Sequence, residues 1–160
     1  MKALCTWLAV VVMTFAFTGI VMAADNDAHS VTVTVSNINE ISITGGDITL
    51  TINSATAGSN PDAENDATCG LLWTVNTTNK KITVATNQAS FDHTLQVEAT
   101  SVTGGTSAGQ KTLSTTAQDL VTGVAETLGG CTLSYTASAT AAQGTQSVAH
   151  TITYTIVAGS

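Results

Sequence analysis

Three groups of residues in this chain carry side chains able to do chemistry: the cysteines, an acidic loop and the histidines. Cys69 and Cys131 lie beyond an apolar N-terminal segment that holds the third cysteine, Cys5. An even pair in an exported domain predicts a disulfide. On the chain-entropy account, closing a loop of this length stabilises a fold by about 3–4 kcal/mol. The competing reading is a pair of buried free thiols. A metal site is not indicated, because two thiols without a C-x-x-C spacing do not make a tetrahedral set.

The acidic loop Asn60-Pro61-Asp62-Ala63-Glu64-Asn65-Asp66 alternates carboxylates and amides, the hard oxygen donors that Ca²⁺ takes. Asp62, Glu64 and Asp66 are its candidate calcium ligands. It lacks the sixth-position glycine and closing glutamate of an EF-hand loop, so a solvated polar loop competes with the calcium reading. No other cofactor is indicated. His29, His93 and His150 stand far apart in sequence. Asp92-His93 with a distant serine is the nearest approach to a catalytic set. Nucleophilic catalysis needs a base held by a third group, and no nucleophile-elbow motif is present, so a non-enzymatic protein is expected. His150 falls on the apolar side of the last alternating segment, where a hydrogen-bonded core or edge histidine is expected.

Charge narrows the partners. The chain carries eleven acidic residues, four lysines and no arginine, for a net charge of −7. Nucleic-acid binding needs a basic footprint to neutralise phosphates, and anionic membrane surfaces need the same. Both are disfavoured. Beyond the N-terminal segment the aromatic residues are Trp73, Phe91, Tyr135 and Tyr154. Four rings must first supply a core, which leaves little for the aromatic platform that sugar binding usually employs.

The elements that must hold these groups are nearly all strands. Lys2, the apolar run Leu8 to Met22 and the small-residue site Val21-Met22-Ala23 read as a signal peptide over residues 1–23. A secreted product, extracellular or at the cell surface and without membrane insertion after cleavage, is expected. Residues 24–36 read as a polar leader followed by an alternating strand, with Val31, Val33 and Val35 on one face and Thr32 and Thr34 on the other. Such a strand must bury its valines in its own sandwich or in a neighbour's. Residues 37–160 form the remaining domain.

Within that domain, Gly45-Gly46 predicts a hairpin between Ile41–Ile43 and residues 47–53, which carry Ile48, Leu50 and Ile52. Asn76-Thr77-Thr78-Asn79 predicts a second hairpin between 71–76 and 80–86. Further strands are expected over 94–100, 131–140 and 146–157, whereas 117–128 reads equally as a helical turn or a short strand. Seven to nine such strands indicate an all-β protein, an antiparallel β-sandwich of Ig-like or jelly-roll-like type.

The segment Cys131-Thr-Leu-Ser-Tyr and the terminal run Gly144–Ile156 resemble the closing strands of secreted bacterial β-sandwich proteins of the spore-coat-U-like and fimbrial-subunit-like class. The resemblance implies assembly by β-strand donation, in which an extended segment of one subunit adds to an open sheet edge of the next. Val31, Val33 and Val35 are then the candidate assembly strand. Self-association, or association with other surface proteins, is the expected partnership. A monomeric extracellular module binding calcium or a glycan is the alternative.

Overall fold

A computed structural model of the chain describes residues 25–159. The signal-peptide reading, residues 1–23, lies outside those residues. The chain divides between Thr34 and Val35 into two units. In the first, residues 25–34 form no strand and all are exposed.

The second unit is all-β. Its strands are β1 (Asn39–Thr44), β2 (Glu64–Val75), β3 (Lys80–Thr86), β4 (Thr94–Thr103), β5 (Thr106–Ser107), β6 (Lys111–Thr112), β7 (Gln118–Val124), β8 (Thr127–Ser138) and β9 (Ile152–Ala158). They form two antiparallel sheets, one of five strands ordered β1-β2-β8-β4-β6 and one of four ordered β5-β7-β3-β9. The count of nine fits the sandwich expected from the turn spacing.

Alternation explains why these residues make these layers. On β2, Cys69, Leu71, Trp73 and Val75 are buried; on β8, Cys131, Leu133, Tyr135 and Ala137; on β4, Leu95, Val97 and Ala99. The other sheet contributes Ile82 and Val84 from β3, Leu120, Val121 and Val124 from β7, and Tyr154 from β9 to the same core. Each position two residues along a strand returns to the same face, so a single apolar row per strand is enough. The consecutive buried pair Leu120-Val121 breaks that rule where the β3–β7 register shifts around Ile82, as a bulge allows.

Trp73 lies directly opposite Gly129 in the β2–β8 ladder. A side chain at Gly129 would overlap the indole, so the glycine makes the slot that the ring fills. The indole Nε1 is buried without a hydrogen-bond partner among the described residues, a cost accepted for the ring's apolar burial.

Both expected hairpins are corrected. Gly45 and Gly46 do turn the chain with positive φ, and a Cβ on Gly45 would meet Thr68 O at 2.6 Å. However, β1 pairs with β2, not with 47–53. Residues 47–53 belong to no ladder; Ile48, Leu50 and Ile52 instead rest against the core cluster. The turn at 76–79 joins strands of opposite sheets, because β2 lies in the five-stranded sheet and β3 in the four-stranded one. An inter-sheet corner and a hairpin both place two inward-facing rows at the ends of a short polar turn, so local sequence does not separate them. The ambiguous stretch 117–128 holds β7 and, after a break at 125–126, the first residues of β8.

Candidate functional site

Residues 31–35 form no strand. Val31, Val33 and Val35 are 72%, 81% and 74% exposed. From Val35 onward the chain is held to the sandwich by the turn before β3: Asn76 Nδ2 donates to Ser36 O at 2.8 Å, and Ile38 N donates to Asn76 Oδ1 at 2.7 Å. The Asn76 amide thus acts as a two-point clasp on the approach to β1.

β1 and β9 are edge strands of their sheets. On β1, Ile41 lies opposite Trp73 and Ile43 opposite Leu71, so both isoleucines sit on the same face of the sheet as the core row. Yet Ile43 is 50% exposed. The reason is an open cleft of about 340 Å³ lined by Ile41, Ser42, Ile43, Leu71 and Tyr154. An edge strand offers unpaired N–H and C=O groups, and this one adds an apolar recess beside them.

Beneath the cleft, the Tyr154 and Tyr135 hydroxyls hydrogen-bond each other in the core. Burial, then the neighbouring Tyr135, pushes the Tyr154 hydroxyl far above the usual tyrosine range, and burial raises Tyr135 as well. Both phenols stay neutral and serve as a polar pin between the two sheets.

The expected disulfide is corrected. Cys69 and Cys131 are buried free thiols. They occupy adjacent strands, but Cys69 is opposite Leu133 and Cys131 opposite Leu71, which makes them diagonal neighbours. Diagonal pairs stand about 7–8 Å apart, beyond the Cα separation of about 4.4–6.8 Å that a disulfide spans. Cys69 Sγ donates to Gly46 O at 3.2 Å, and burial raises the Cys131 thiol above its ordinary value.

The acidic loop does not converge as a calcium site. Asp62 closes the 54–62 loop, its Oδ2 accepting from Ser54 Oγ at 2.9 Å while its N–H donates to Ser54 O. Glu64 belongs to β2, paired with Ala137. Asp66 turns onto Thr68, whose backbone N–H and then hydroxyl hold its carboxyl below the usual range. No group of three or more His, Cys, Asp and Glu among the described residues is placed to hold a metal ion. Asp62 and Asp66 are used as local turn fasteners, which is chemistry that Asp performs readily.

Sequence spacing missed one juxtaposition. His93 and His150, 57 residues apart, meet with their Nε2 atoms 2.9 Å apart. His150 precedes β9 instead of lying within the strand; burial, then His93, lowers its pKa below the ordinary histidine value. Only the topology, which brings the segments before β4 and β9 together at the end of β3, could have revealed the pair.

No protein-family model matches the chain, and no curated protein or solved structure matches it either.

Proposed function

We propose that this chain is a secreted, non-enzymatic surface subunit that assembles by β-strand donation, with residues 31–35 of one copy adding to the open β1–β9 edge of another. The observation that carries this reading is the exposure of Val31, Val33 and Val35 on a strand-period segment that forms no ladder among the described residues. Fully burying a valine contributes roughly 1.5–3 kcal/mol, so three left in water constitute a large unused driving force. The Ile41–Ile43–Tyr154 cleft supports the other half of the contact, since it sets apolar surface beside an unpaired edge. Strand addition uses both: main-chain bonds give affinity and alternate side chains give register. A head-to-tail contact of this type propagates into a filament when its rotation does not close.

Electron microscopy and unheated gel electrophoresis of the purified full-length protein test the reading. Filaments, or ladders that collapse only on heating, are expected, and V33D should leave monomers. A wild-type protein that stays monomeric at all accessible concentrations would overturn the assembly.

A further inference from the structure

His93 and His150 form a second, independent locus of chemistry. Their Nε2 atoms face each other at 2.9 Å, with the rings nearly perpendicular at 85° and their centroids 5.0 Å apart. Phe91 packs on both rings, at 4.9 Å from His93 and 4.6 Å from His150. Each outer nitrogen is also engaged. His93 Nδ1 lies 3.0 Å from Gln146 Oε1, and His150 Nδ1 lies 3.1 Å from Thr86 Oγ1.

We propose that His93 and His150 are a two-imidazole binding site for a divalent d-block cation. Gln146 Oε1 can only accept, which places a proton on His93 Nδ1 and leaves the lone pair on Nε2. Thr86 Oγ1 is a two-way partner. Without a cation its hydroxyl donates to His150 Nδ1, and His150 Nε2–H donates to His93 Nε2. With a cation, the His150 proton leaves Nε2 and a proton is taken up at Nδ1, which then donates to Thr86 Oγ1. No net proton is released. Thr86 Oγ1 also accepts from Gln88 N at 3.3 Å, and its second lone pair remains free for the switched imidazole.

Both rings therefore have the outer-shell oxygen that orients metal-binding histidines. The spacing fits as well. Two metal–nitrogen bonds of about 2.0–2.1 Å at a right angle place the nitrogens about 2.9 Å apart. That is the separation of two adjacent positions in the tetragonal geometry that Cu²⁺ and Ni²⁺ prefer. An ion bound by both Nε2 atoms lies to one side of the line between them, so each imidazole tilts toward it, and the exposed Gln146 side chain can follow His93. Among the described residues no third His, Cys, Asp or Glu completes the set, so water would fill the remaining positions. Both histidines are only partly buried, which leaves the ion a route in.

Titration of the full-length protein with Ni²⁺ alone, by calorimetry in a non-coordinating buffer, tests the site. One saturable Ni²⁺ per chain is expected, weakened at least ~10-fold by H93A or H150A and about 10-fold by Q146L through loss of the orienting oxygen. H29A should bind as wild type does. Because H150A removes a packed ring, H93N serves as a second variant. The Cu²⁺-loaded wild type should show hyperfine coupling to two imidazole nitrogens by electron paramagnetic resonance, and H93N to one. No saturable binding, binding lost only in H29A, or an unchanged affinity in H93A and H93N would overturn the proposal. None of these outcomes depends on whether the protein forms filaments.

Discussion

The two alternating segments that flank β1 began with the same prospects and ended differently. Val31-Thr-Val-Thr-Val35 and Ile48-Thr-Leu-Thr-Ile52 share one pattern, a β-branched or leucine row backed by threonines. Neither belongs to a ladder. The first keeps its apolar row in water, whereas the second rests Ile48, Leu50 and Ile52 against the sandwich core. Alternation states that one face of a segment needs apolar surroundings; it does not state that backbone pairing will come with them. Residues 47–53 have met the first need without the second. Among the described residues, 31–35 have met neither, and that asymmetry is what the proposed strand donation would resolve.

The core sets the scale for testing that difference. G129A should have the largest effect, because its methyl overlaps the Trp73 indole, a rigid ring that is itself buried. A loss of 3 kcal/mol or more, on the order of the worst overpacking changes, is expected from urea unfolding. L71A, which truncates a fully buried side chain, should cost about 3–4 kcal/mol. L50A should fall well below both, at about 1–2 kcal/mol, since its side chain is only partly buried. The comparison breaks at either extreme. A cost equal to that of L71A would make 47–53 an ordinary part of the core, and no cost at all would put it with the valines.

The sequence disclosed the layers more fully than their connections. The inward rows of β2, β3, β4 and β8 followed from period two alone, because a half-buried strand imposes it residue by residue. The pairing of β1 with β2 did not follow, since Gly45-Gly46 specifies a reversal of the chain and not which strand receives it. For the same reason the turn 76–79 read as a hairpin. The Cys69–Cys131 pair illustrates a finer limit: both thiols face the core on neighbouring strands, and a two-residue register offset is enough to keep them apart. In the acidic loop, composition suggested convergence, but Asp62 and Asp66 each satisfied a nearby donor first. The exposed valines were legible as a pattern from the start. Their lack of a ladder among the described residues was not, because exposure belongs to the fold.

V33A should be the gentlest of these substitutions on the folded chain, and it carries the most information about it. With its side chain 81% exposed, shortening it removes almost no contact, so the unfolding free energy of dilute protein should move by no more than about 0.5 kcal/mol. If residues 31–35 seat in a neighbouring sheet, the same change deletes two methyl groups from a buried pocket. Assembly should then weaken several-fold while the monomer's urea curve stays in place. L50A makes the opposite forecast: its cost appears in the monomer and is carried unchanged into any assembly. A V33A protein that lost stability at high dilution would show its valine already packed within its own chain. The two segments would then differ in degree only, and strand donation would lose its donor.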